Sequence, residues 1–141
     1  MAIIKRETDY AFRALARIAQ AEDFLPVSVL AEGEDVPELF LRKIMQRLHA
    51  AGIVESRQGP FGGYKLALPA DRITFLDVVE SVQGPLVMNE CFEGPDICHR
   101  QGVCPVRAHL SALQIELNAG LAEVTIADVL EGLPSEERAA R

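Results

Sequence analysis

Hydrophobic residues in this chain recur at helical spacing almost throughout, interrupted once by two short runs of a different kind. From Thr8 to Ala21, Ala11, Leu15, Ile18 and Ala19 fall on one face and Arg13, Arg17 and Gln20 lie off it, which predicts a first helix. Leu25-Pro26-Val27 breaks that pattern. Ser28 is placed to cap a short second helix reaching Ala31 or Glu32, with Gly33-Glu34-Asp35 as the turn. Val36-Pro37 opens a third helix to about Ala51, ended by Gly52. At about 100° per residue, Phe40, Leu41, Ile44, Met45 and Leu48 make its apolar stripe. Leu39, Arg42, Lys43 and Gln46 make the opposite face, with Arg47 at the edge.

The different runs follow at once. Ile53–Gln58 and Tyr64–Leu68 read as strands, and Gly59-Pro60-Phe61-Gly62-Gly63 as the hairpin loop joining them. Three glycines there permit positive φ and a close backbone approach to a partner. Two short helices, a third with a cationic outer face and then a hairpin describe a winged helix-turn-helix, with Arg57 and Lys65 at the wing base. Thr74-Phe-Leu-Asp77 fits a capping box for a helix over Val78, Val79 and Val82 to Gln83, stopped by Gly84-Pro85. Beyond a Gly/Pro-rich loop, Pro105 starts the longest helical pattern, carrying Val106, Leu110, Leu113, Leu117 and Leu121. So small a winged domain covers that stripe poorly, and a second copy of the same helix is its expected partner, giving a two-fold dimer. Thr125 caps a short helix, Ile126–Glu131.

The expected fold is therefore mostly α with a small β-hairpin wing. Its parts are a winged helix-turn-helix over 1–83, a loop over 84–104, a dimerisation helix with a short return helix over 105–131, and a flexible tail over 132–141.

Charge looks unsuited to nucleic acid, at −7 over 141 residues, until its placement is considered. Residues 1–68 hold nine Lys/Arg and nine Asp/Glu, and residues 69–141 hold five against twelve, so all of the excess acid lies in the second half. Within 36–68, Arg42, Lys43, Arg47, Arg57 and Lys65 face only Glu38 and Glu55. A locally basic face on an acidic chain is compatible with DNA of modest affinity and real salt dependence. No run is long enough to span a membrane and the start lacks a signal-peptide core, so a cytoplasmic protein is expected.

All three cysteines, Cys91, Cys98 and Cys104, fall in one loop rich in Gly, Pro and charge. Such a loop is a poor place to bury thiols for packing, so a metal centre, an iron–sulfur cluster or a redox disulfide each supplies a reason for the grouping. No nucleophile–base pairing, phosphate loop or pair of catalytic acids stands out, and no enzyme is expected.

Taken together, Thr8-Asp9-Tyr10-Ala11, the Pro37–Gly52 helix, the wing Gly59-Pro60-Phe61-Gly62-Gly63-Tyr64 and the three-cysteine loop resemble the IscR/NsrR-type winged-helix regulators. That family also holds the iron regulator RirA and the cysteine-metabolism regulator CymR. The resemblance covers roughly residues 1–131. It implies a homodimer on palindromic double-stranded DNA, with recognition helices in successive major grooves and wings reaching the minor groove. Ser28, Leu39, Arg42, Lys43, Gln46, Arg47, Arg57 and the wing residues Gly59 to Tyr64 are the expected DNA contacts, with Leu39 suited to a thymine methyl.

The resemblance also implies an iron–sulfur cluster, of two or four irons, on the three cysteines, sensing iron, redox state or nitric oxide. Soft thiolates suit it, and three of them leave a position for a labile fourth ligand. The IscR pattern places a histidine three residues after the last cysteine, where this chain has Arg107. NsrR-like members use a carboxylate near the start of helix one, and Asp9 of the partner chain is the matching choice here, ahead of Glu7, Glu93 and His109. Six residues separate Cys91 from Cys98 where the family usually has five, and Gln58 stands where IscR-like wings carry arginine, a role Arg57 is positioned to assume. The rivals are a cluster-free thiol sensor, a structural zinc site and a plain protein-interaction module.

Overall fold

The computed structural model describes residues 2–133, so from residue 134 on the expected tail lies outside the described residues. The order is α1 (Arg6–Gln20), α2 (Val27–Glu34), α3 (Glu38–Ala50), β1 (Val54–Arg57), β2 (Gly63–Leu66), α4 (Phe75–Gln83), α5 (Pro105–Glu123) and α6 (Ile126–Gly132). This is the winged helix-turn-helix anticipated from the hydrophobic pattern.

Helix α1 is the hub, because α2, α3, α4, α6 and β2 all pack on it. Its buried face is Ala11, Ala14, Leu15 and Ile18, and the alanines let neighbouring backbones come close. Glu7 and Asp9 in its first turn and Arg17 in its last suit the helix dipole. Thr8 is the one buried polar residue among those described, and its hydroxyl donates to Gln83 Oε1 at 2.6 Å.

Helix α2 corrects two expectations. It begins at Val27 with extended Pro26 at the cap position, so Ser28 lies inside the first turn, exposed, and makes no cap hydrogen bond. It also runs through Gly33 and Glu34 and ends at Asp35 in the left-handed conformation, φ 53°. The reason is Arg17. Its Nη1 donates to the Val29 and Leu30 carbonyls at 3.2 and 3.3 Å, and its guanidinium fills the space a Cβ at Gly33 would need.

Helix α3 buries Leu41, Ile44, Met45 and Leu48 as expected, but Phe40 is only flanked. Its ring meets Tyr10 edge-on at 6.0 Å and stays 38% exposed, so the stripe is narrower than its sequence suggests. Gly52, φ 77°, turns the chain into the wing. The strands pair antiparallel with Val54 opposite Leu66 and Arg57 opposite Gly63. Leu25, read from sequence only as part of a break, bridges Tyr64 through reciprocal backbone bonds of 2.9 and 2.8 Å.

Both capping boxes form, Thr74 with Asp77 and Thr125 with Asp128. The two threonines face each other in an isolated bridge flanked by Phe75 N–H to Val124 O and Ile126 N–H to Ile73 O. Ile126 is fully buried in the same core as α1 and α3. The return helix α6 therefore belongs to the winged-helix core, and the expected unit over 105–131 is divided between two roles. Helix α5 is the outlier: none of its residues is buried, and Val106, Leu113 and Ile115 stand 49–67% exposed. On its inner side Gln114 accepts from Met88 N–H and donates to Leu86 O, both at 2.8 Å.

Gly63 has φ 140°, and a Cβ there would overlap the Leu25 carbonyl. Gly63→Ala is expected to lose on the order of 2–3 kcal/mol of stability in urea unfolding. Gly52→Ala, with open space around it, should lose only about 1 kcal/mol, the left-handed penalty alone.

Candidate nucleic-acid interface and cysteine loop

Three side chains of the α3 outer face project as the sequence predicts: Leu39 is 75% exposed, and Lys43 and Gln46 are exposed as well. Arg42 pairs with Glu38 one turn back at 2.7 Å. Both members of that pair are exposed, so breaking it costs only a few tenths of a kcal/mol, and Arg42 is free to exchange Glu38 for a phosphate. Arg47 differs. Its Nη1 donates to the Val82 carbonyl at 2.8 Å and lies 3.3 Å from the Glu7 carboxylate, which ties α3 to α4 and α1. These contacts leave its side chain 47% exposed, at the edge of the outer face where the helical wheel put it.

The wing revises more. Tyr64 is 9% exposed and packs in the core, so its ring is a structural anchor rather than a DNA contact. The close approaches that Gly62 and Gly63 permit are to the chain's own backbone, at the Arg57 and Leu25 carbonyls. Arg57 is exposed but engaged by its own chain. Its Nη2 and Nε donate to the Phe61 carbonyl at 2.6 and 3.2 Å, its guanidinium lies 4.2 Å from the Phe24 ring centre, and Nη2 is 3.4 Å from Asp23. Asp23 is held below the usual carboxylate range, first by the backbone N–H of Phe24 and then by the charge of Arg57. Gln58, Gly59, Pro60 and Phe61 are exposed along the tip, with the Arg57 side chain 44% exposed beside them.

In the cysteine loop, Cys91 lies in a single 3-10 turn, Glu90–Phe92, Cys98 in a turn, and Cys104 directly before α5. All three are free and half-buried. Among the described residues no three His, Cys, Asp or Glu side chains converge closely enough to hold a metal, so the sulfurs are not gathered as the sequence led us to expect. Nothing in one thiol attracts another, and the loop is shaped by other bonds. Gln101 donates to Gly94 O at 2.7 Å, and Arg107 donates to Cys91 O at 3.3 Å while lying 5.1 Å from the Phe92 ring centre. The donor set itself suits an iron–sulfur group, being three uncrosslinked thiols on one loop. Asp9 is paired with Arg13 at 2.7 Å, and Glu7 is taken by Arg47.

A family model described as Rrf2, iron-dependent transcriptional regulator, matches residues 4–132. The chain belongs to the Rrf2 family. It is 38% identical over 136 residues to protein aau3 of Rhizobium meliloti, covering 93% of this chain and 86% of that one. It is 32% identical over 126 residues to the transcriptional repressor NsrR of Streptomyces coelicolor, covering 87% and 84%. Among solved structures it superposes on CymR, the global cysteine regulator of B. subtilis, with TM-score 0.71 at 21% identity, covering 95% and 100%. An Rrf2 protein is a DNA-binding transcriptional regulator and not an enzyme. No helix among the described residues is long and apolar enough to cross a membrane.

Arg42 and Arg47 should separate in a mutational test. Arg47→Ala leaves the Val82 carbonyl and Glu7 without their shared donor and is expected to lower stability by about 1–3 kcal/mol. The pair Arg42→Ala and Lys43→Ala should leave thermal unfolding within about 0.5 kcal/mol of the parent while weakening duplex binding. If both cations meet phosphates, the salt slope of log K should flatten by about two per protomer.

Proposed function

We propose that two copies of this chain form a cytoplasmic repressor or activator whose grip on a palindromic operator is set by an iron–sulfur cluster on Cys91, Cys98 and Cys104. Asp9 of the partner chain is the proposed fourth ligand. The observation that carries the proposal is the setting of the thiols: three free, half-buried sulfurs on the loop that leads directly into α5. When bound, the cluster supplies a soft inorganic centre that iron shortage, oxidants or nitric oxide can damage.

The chain's own residues do the rest. Exposed Val106 and Leu113, seven residues apart on one face of α5, suit a second copy of that helix, so the loop and the dimer contact share one element. Arg107 joins α5 to the loop through the Cys91 carbonyl, so where the loop sits bears on where α5 sits. Ligation by Asp9 requires it to leave Arg13, an exposed pair that costs little to open. In this reading α3 enters the major groove with Leu39, Arg42, Lys43 and Gln46, and the winged-helix units (1–83 with α6) move as bodies relative to the paired α5 helices. Coupling of about 1–3 kcal/mol between cluster and operator would suffice.

A second reading, cluster-free thiol sensing, rests on the same three uncrosslinked, half-buried cysteines. Oxygen-free purification decides between the two. The proposal expects brown protein with iron and acid-labile sulfide in comparable amounts, lost in Cys98→Ala, together with operator affinity that differs at least fivefold between loaded and stripped dimers. Colourless protein whose DNA affinity instead follows reversible loss of thiols would establish the second reading.

A further inference from the structure

Phe61, at 83%, is the most exposed large apolar side chain among the described residues. It is also rigidly presented. Its carbonyl receives Nη2 and Nε of Arg57, the Gly62 N–H closes the tip onto Gly59 O at 3.0 Å, and Gly62 is packed so tightly that a Cβ would overlap the Arg57 carbonyl. A flexible loop would let the ring fold back onto the hairpin, but this one holds it outward.

The cations of the wing are engaged by the chain itself. Arg57 lies over Phe24 beside Asp23, and Lys65 Nζ reaches the Glu22 carbonyl at 3.5 Å with the Phe24 ring centre 6.0 Å away. Beyond the Arg57 guanidinium, the tip offers the apolar surface of Pro60 and Phe61. Apolar side chains held out on a firm backbone are the means by which proteins enter the minor groove and part a base step.

We infer that Phe61 is a specificity-determining wedge: its ring enters the operator's minor groove and partly unstacks one base step, favouring sites with a flexible pyrimidine–purine step at that point. This rests on the reading of the chain as a duplex-DNA binder and adds to it a sequence preference that uses no base hydrogen bond. The wedge acts through stacking and deformation, so its contribution carries no counterion release.

The test uses the full-length dimer. Duplexes selected by the parent protein are measured against Phe61→Ala and Phe61→Leu, with dissociation constants at several salt concentrations and DNA bending by end-to-end fluorescence transfer. The expected result for Phe61→Ala is about tenfold weaker binding, an unchanged salt slope, a smaller bend and loss of preference for a TA or CA step at the wing position. Phe61→Leu should keep part of each effect. Parent-like affinity and bend in Phe61→Ala would overturn the wedge alone, as would a dimer that dissociates in sedimentation while the bend persists, since the ring would then be a protein contact. A parent chain that selects no duplex overturns both the wedge and the reading beneath it. Circular dichroism melting confirms that the exposed substitution leaves the fold intact.

Discussion

The close packing of α1 is the constraint from which the other contacts follow. Ala11, Ala14 and Leu15 are fully buried at the centre of the molecule, with α2, α3, α4, α6 and β2 around them. A methyl-sized surface allows that many elements to approach one helix, and added volume there has nowhere to go, since interiors are packed as densely as crystals. Leu15 and Ile18 supply the apolar area that offsets ordering the short helices, none of which would be stable alone.

The first turn of α1 adds a polar knot to this apolar hub. Gln83, at the end of α4, accepts from Lys5 N–H and the Thr8 hydroxyl and donates to the Ile3 carbonyl. One residue earlier, the Val82 carbonyl receives Arg47 of α3, which also meets Glu7 of α1. Asp9, the carboxylate proposed to serve the partner's cluster, lies two residues from Glu7 in this same turn. A contiguous set of contacts thus runs from the proposed ligand to the recognition helix. Contiguity alone is no demonstration of coupling, which requires two arrangements that ligand and operator weight differently. The Glu7–Arg47–Val82 contact is the place where such a rearrangement would have to register.

Much of the fold was legible because its signals are local. The α3 stripe from Leu41 to Leu48, the Gly52 turn, the Thr74 box and the Thr125 cap depend on residues within one or two turns of each other, and these formed where periodicity and capping rules put them. The misses are long-range. Nothing near Gly33 in sequence reveals that Arg17 will lie across it and carry α2 past the expected turn. Tyr64 and the wing glycines looked like a surface reserved for a partner, yet their closest neighbours come from Leu25 and Arg57 of the same chain. At the site, the outward placement of Leu39, Lys43 and Gln46 could be read from the helical wheel, whereas the bond from Arg47 to the Val82 carbonyl depended on a residue 35 positions away. The cysteine loop was legible as a group of donors but not as a shape, because no local rule draws three thiols together before a metal does.

These internal bonds bear on how the chain reconciles an acidic composition with an anionic partner. Of the five basic residues between 36 and 68, Arg47 and Arg57 are held by carbonyls and carboxylates of the protein. Lys65 leans on the α1–α2 connection. That leaves Arg42, loosely paired, and Lys43, which makes no ion pair among the described residues. In the proposed dimer these two residues would supply roughly four cations at the recognition helices, a modest counterion release beside that of a strongly basic binder. Weak general attraction on an acidic body suppresses binding to arbitrary sequence, so discrimination has to come from contacts that carry no charge. Leu39 at the start of α3 and Phe61 at the wing tip are the exposed apolar groups proposed for that purpose. The bonds of Arg47 and Arg57 to carbonyls of the chain would then contribute by stiffening the surfaces that carry these groups.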